Sequence, residues 1–376
     1  MCSRWSRRSW STTTGCWDGC ALGVVTSDKA TLRHSTGHSA DALASGKSRN
    51  ALPRRCDASA TQWRLKTLDL DLLDQMQLDI FEDSRDVMLR NDVAHALEQR
   101  DALGARSACE RLAREYPADD ALPALAALAE SIEAGGPGQP RPIGDHEALR
   151  AARQLMELTI CPAAQRVFDQ RDATRWLRAG WHDLARRAGA LPFDANCPQD
   201  HAAALWLRAG AWEEVAQAVA SIESWRRIPT PLAWMAEARL HLLGLRATWP
   251  LLAELGWLSP TLLESLAQRS PDPLLPQLMR SFEASFNANL DAIPEGNGEI
   301  ADLSWFAAWV LTDRPALRDQ LALAQASMDS APERAMRLMI ELLGLERQGR
   351  HADIVARRKV LRDLQPSLYA AYLKTR

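Results

Sequence analysis

The side chains able to do chemistry are dispersed along this chain. Cys16 and Cys20 precede His34 and His38. Those spacings occur in zinc sites, but no hairpin or helix pattern surrounds them to bring four ligands onto one ion. The eight His include no pair at i, i+4 with a second ligand, and no H-E-x-x-H motif. No Gly-rich phosphate loop and no G-x-S-x-G nucleophile elbow occur. Cys109, Cys161 and Cys197 fall in or near helical stretches, and are read as reduced thiols of a packed interior. The expectation is a chain with no catalytic residues, no metal and no cofactor.

Two other residue types are arranged more tellingly. Fourteen Trp stand beside three Tyr and six Phe. Trp176, Trp181, Trp206 and Trp212 belong to one pattern written twice: RDATRWLRAGWHDLA from Arg171 and HAAALWLRAGAWEEVA from His201. Such Trp either pack between helices, each with a single N–H to satisfy, or line a groove for a peptide. Arg178 and Arg208 hold the same place in both copies. Each is expected in the last turn of a helix, where a cation meets unpaired carbonyls, or else as a repeated ligand-binding Arg. Each copy reads as helix, Gly-centred turn, helix, with Gly180 and Gly210 as pivots.

The elements that would carry these residues are helices almost throughout. Sustained alternation and β-branched runs are absent, while apolar positions recur at helical spacing between Gly and Pro stops. Expected helices include 146–160, 162–170, 172–179, 181–188, 200–208, 212–224, 231–243, 247–255, 260–269, 273–290, 301–312, 315–328, 333–348, 351–364 and 366–374.

Four segments follow: 1–75, 76–134, a Gly/Pro linker at 135–145, and 146–376. The first carries 11 Lys+Arg against 7 Asp+Glu, so +4 in a chain of net charge −3. It is Ser-, Thr- and Arg-rich and has no period to bury. It reads as a disordered tail, or as upstream sequence translated from an early start. SRRSW (Ser6 to Trp10) resembles a twin-arginine signal, but the polar stretch after it makes a poor apolar signal core. No apolar run is long enough to span a bilayer. Near-neutral charge disfavours direct nucleic-acid binding. The expected setting is cytoplasmic.

Two resemblances add to this. The tetratricopeptide repeat family pairs helices through a Gly-Asp-type turn, with a small residue after it and a terminal Pro. Arg100-Asp101, Ala105 and Pro117 are similar to that pattern, with Arg in place of Gly. Trp176 and Trp206 match the large residue of its first helix, and Trp181 and Trp212 the aromatic that opens its second. Trp181 comes one residue early. Leu345 to Val355 repeats the turn around Gly349, with His351 in the aromatic's place. The spacing departs from a strict 34-residue period. The resemblance implies an all-α, irregular helical-repeat solenoid whose stacked pairs bury a shared core and grip another protein or peptide. Second, QLDIF resembles the short motif by which bacterial replication and repair proteins dock on the DNA polymerase sliding clamp. That implies Gln77, Leu78, Ile80 and Phe81 as anchors and Asp79 facing water; the same apolar residues could instead pack on the first helix. The leading expectation is therefore a scaffold or adaptor. A clamp-tethered accessory factor and a divergent enzyme with a pocket in the array are the alternatives.

Overall fold

The chain divides into two units, Met1–Gln75 and Met76–Arg376. The computed structural model describes residues 85–135, 141–287, 302–325 and 329–376. The tail, with its Cys and His residues, and the Gln77–Phe81 motif lie outside the described residues.

Every regular element among the described residues is helical, so the all-α class holds. Helix α1 covers 85–98 and α2 Ala102–Glu115. Arg100 takes the left-handed turn position (φ 52°) between them. Asp101 caps α2, its carboxylate accepting the Gly104 N–H at 3.0 Å. Then come α3 (Leu122–Gly135), α4 (His146–Leu155), α5 (Cys161–Val167), α6 (Gln170–Ala188), α7 (Ala202–Ala209) and α8 (Trp212–Ala220). They are followed by α9 (Pro229–Leu258), α10 (Pro260–Gln268), α11 (Leu274–Asn287), α12 (Phe306–Asp313) and the short α13 (Arg318–Leu321). Finally α14 (Ala331–Gln348), α15 (His351–Leu364) and α16 (Pro366–Lys374) close the chain. Asp145, Asp169 and Ser330 cap α4, α6 and α14 through their side chains.

Between α4 and α5 the helix does not break but widens into a π turn over Met156–Ile160, where the Cys161 N–H reaches back to the Met156 carbonyl. Pro162 follows directly. It has no N–H for the carbonyl four residues back, and its ring would crowd that carbonyl; a wider turn relieves both.

The two copies of the Trp motif differ. Gly210 is a left-handed pivot (φ 70°), with its N–H on the Leu207 carbonyl and the Ala211 N–H on the Trp206 carbonyl. Gly349 (φ 68°) closes α14 in the same way, through Glu346 and Leu345. Gly180 is no pivot: it lies inside the continuous helix α6. The expected helices 172–179 and 181–188 are one, and Arg178 sits in mid-helix, not in a last turn. In α6 the buried positions Trp176, Leu177, Trp181, Leu184, Ala185 and Ala188 stay in phase through the Gly. The second copy has one more residue, Ala211, before its Trp. That insertion throws Trp212, Val215 and Val219 out of phase with Trp206, and the chain must turn.

Up to α9, helices pack mainly on their neighbours in the chain: α2 on α3, α6 on α7, α7 on α8, α8 on α9. Longer links exist as well. α3 packs on α5, and the Trp176 indole N–H donates to the Leu97 carbonyl of α1 at 3.0 Å. α9 bends at the exposed Gly244 (φ 77°, ψ 175°), and its second arm is buried along most of its length. Beyond it the arrangement is more central. Phe306 to Thr312 of α12 are all buried, and α12 touches α9, α11, α14 and α16. Within the expected helix 315–328, the described residues to 325 form only a 3-10 turn and the four-residue α13. Its continuation is captured by tertiary partners. Gln325 donates its N–H to the buried Glu254 carboxylate at 2.7 Å, and Arg337 donates to the Ala324 carbonyl at 2.7 Å.

Candidate functional site

Of the residues singled out from the sequence, Trp176, Arg178, Trp181, Trp206 and Arg208 are brought together on and against α6, while Trp212 packs on α9. Trp176 is buried, with the Arg100 guanidinium 5.2 Å from its ring centre and donating to its backbone carbonyl at 3.0 Å. Trp181 is buried beneath Arg208, whose guanidinium lies 4.8 Å from the ring. Arg208 also pairs with Glu157 of the π turn at 2.7 Å. Arg178 lies along the α7–α8 turn: a Cβ on Gly210 would stand 3.7 Å from its Nε. Trp206 is nearly buried, with the His182 ring edge-on at 4.8 Å. Trp212 is half-buried and stacked face to face on His241 at 3.8 Å. These Trp thus meet Arg and His side chains in the packing between helices, and Trp206 also borders an open depression.

That depression is a cavity of about 680 Å³. One wall is the chain leaving α6, with Leu191, Pro192 and Phe193. The floor is the start of α7, with His201, Ala202 and Trp206. The opposite wall is α8 and its exit, including Glu214, Gln217, Ala218, Ser221, Ile222 and Glu223. Glu214, Gln217, Ala218 and Ser221 stand at i, i+3, i+4 and i+7, one face of a helix. Val215 and Val219 on the neighbouring face are fully buried and hold α8 in place. The sequence sets both stripes, and after the turn at Gly210 the polar one lines the groove.

His201 looks at first like a candidate acid or base. Its Nδ1 accepts the Ala203 N–H at 3.2 Å, capping α7. Its ring is parallel to Trp234 at 6.1 Å and edge-on to Phe193 at 5.7 Å. Burial, with the nearby His146 adding to it, pushes its pKa down to about 4. At neutral pH it is an uncharged aromatic plate in the floor, a weak base with one nitrogen already engaged.

Behind the floor lies a charge cluster. Asp200 is 2% exposed and is held by Arg150 Nε at 2.9 Å and Arg153 Nε at 3.0 Å. Arg153 continues to Glu157 at 2.8 Å, and so to Arg208. Arg150 also reaches the Cys197 Sγ at 3.3 Å, and His146 Nδ1–H donates to the Asp200 carbonyl at 3.1 Å. A buried carboxylate between two guanidiniums is stable because its charge and lone pairs are matched. The cluster pins the 197–201 segment, which sets where His201 stands.

Comparison with known protein families, with characterised proteins and with solved structures finds no match to any of the three. Among the described residues, no group of three or more His, Cys, Asp or Glu is placed to hold a metal ion, and no helix is long and apolar enough to cross a membrane. Cys109 is buried; Cys161 and Cys197 are half-buried. Sequence reasoning singled out Trp206. It missed His201, Asp200 and the polar face of α8. The alternation of Val215 and Val219 with Glu214, Gln217, Ala218 and Ser221 was the available signal.

Proposed function

We propose that this chain is a non-catalytic interaction protein: a scaffold or adaptor of irregular helix pairs, tetratricopeptide-like in its turns, that holds another polypeptide. The observation that carries this reading is the groove beside α7 and α8. It is open, has an apolar lining that includes Phe193, Ala202, Trp206 and Ile222, and its His is held neutral and engaged in a helix cap. Such a surface suits contact with a side chain rather than proton transfer. Chain-neighbour packing from α6 to α9 and the matching left-handed pivots at Gly210 and Gly349 support the repeat character. Affinity purification of the full-length chain from its own cells, followed by reconstitution with each purified co-purifying protein, tests it. At least one protein rebinding with a measurable dissociation constant is expected. Failure of every candidate to rebind would end the reading.

A second reading rests on Gln77-Leu78-Asp79-Ile80-Phe81. It makes the chain a sliding-clamp-tethered accessory factor in replication or repair, anchored by these five residues. Retention on immobilised clamp should drop for the Gln77→Ala/Phe81→Ala variant; equal retention of variant and wild type refutes it.

A further inference from the structure

We propose that the α7–α8 groove takes an extended peptide in which an apolar side chain is flanked by Lys or Arg. This deepens the interaction reading above and rests on it. The argument is charge complementarity. Among the described residues, several acids of the array are paired with Arg, the buried Asp200 and Glu254 among them: Asp200 with Arg150 and Arg153, Glu157 with Arg153 and Arg208, Glu254 with Arg226, Glu346 with Arg358 and Arg376. Glu214 and Glu223 on the groove wall have no such partner there, and the groove lining contains no Lys or Arg. His201, the one lining residue that could supply a positive charge, is neutral at pH 7 because it is buried among Phe193 and Trp234.

The result is an apolar floor under two uncompensated carboxylates. Gln217 adds an amide able to meet a peptide's backbone groups, and the Ser221 hydroxyl, which donates to the Ala218 carbonyl at 2.8 Å, can accept from a peptide N–H. A cavity of about 680 Å³ is far larger than one side chain. It accommodates an apolar side chain on Trp206 and Ile222 together with the aliphatic stem of a Lys or Arg, whose charged head reaches Glu214 or Glu223 at the rim. An acidic peptide would meet two like charges with nothing to offset them.

The test is selection of a phage-displayed random peptide library on the immobilised full-length chain, then titration of the enriched peptides in synthetic form. Enriched sequences should place Lys or Arg within a few residues of Leu, Ile, Phe or Met. Their affinity should fall as salt is raised. Glu214→Gln/Glu223→Gln should weaken them about fivefold or more, as expected for two rim ion pairs. Gln217→Arg, at an exposed position on the same face, should weaken them independently by supplying the cation from within. Both variants replace surface side chains, so unchanged unfolding midpoints show that the fold is kept. Enrichment without a basic bias, or no enrichment at all, overturns the proposal. Basic peptides that bind both variants as well as wild type overturn it too, but leave the interaction reading standing, because the chain then binds peptides elsewhere.

Discussion

Gly180 and Gly210 follow the same four residues, Trp-Leu-Arg-Ala, yet one is helical and the other a left-handed turn. Replacing each by Ala should therefore act in different directions. At Gly210, with φ 70°, a Cβ would meet only ordinary contacts with Arg178 at 3.7 Å, so the cost is conformational. An L-residue in the left-handed region costs roughly 1–2 kcal/mol. The stiffer unfolded chain returns about 0.4–1 kcal/mol of that. The net expectation is a loss of about 1 kcal/mol. At Gly180 a helical Ala gains about 1 kcal/mol in propensity. Its Cβ would lie 2.9 Å from Met156 Cε, the far end of a flexible side chain that can swing aside at a cost below that gain. The two variants should then differ by about 2 kcal/mol in urea unfolding, a separation of several degrees in Tm for a unit this size. Gly349→Ala supplies the control, with φ 68° and open space around its Cβ, and should behave like Gly210→Ala. If Gly180→Ala destabilises as much as Gly210→Ala, the two copies share one conformation and the unbroken α6 is wrong.

Two further outcomes follow from the cluster behind the groove. Asp200→Asn should cost about 3 kcal/mol in unfolding experiments, the lower end for a broken buried ion pair, because Arg150 can turn to solvent while Arg153 cannot; a loss below about 1 kcal/mol would mean that the carboxylate is not held as described. His201 makes the fold acid-sensitive. Its folded pKa of about 4 lies below the ordinary 6.5, so the unfolded chain binds the proton first as pH falls. Stability tied to this residue is complete above pH 6.5 and is lost between about 6.5 and 4, to a total of about 3 kcal/mol. His201→Asn, which can still cap α7, should flatten that part of the pH profile relative to wild type; parallel profiles would show that His201 is not buried neutral.

Much of the fold was legible because helix stops are local. Tyr116-Pro117 ends α2, Arg100-Asp101 turns α1 into α2, and Gly349 turns α14 into α15; each depends on backbone limits that a short window of sequence displays. The misreadings arose where a distant partner decides. Nothing between Pro315 and Met328 announces that Glu254, some seventy residues earlier, will take the Gln325 N–H and stop the helix. The groove was harder still. Trp206 could be picked out by its repetition, but the neutrality of His201 follows from Phe193 and Trp234 closing around it, and the lack of an Arg beside Glu214 only from where the described residues fold.

The repeated motif shows where local and distant information meet. Its two copies differ at the pivot by one inserted residue, Ala211. That residue turns an unbroken 19-residue helix into two short helices and a turn. The consequence lies beyond the motif, since the turn swings the Glu214 face of α8 across from Phe193 and opens the cavity between them. Arg178 in the first copy then packs beside the Gly210 turn of the second, and Arg208 in the second covers Trp181 of the first. The two copies therefore act as complements: the straight one supplies a rigid post, and the bent one folds back against it to form the groove. Similarity of sequence between them marks the contact they share, while the single extra residue marks the groove lined by Glu214 and Gln217.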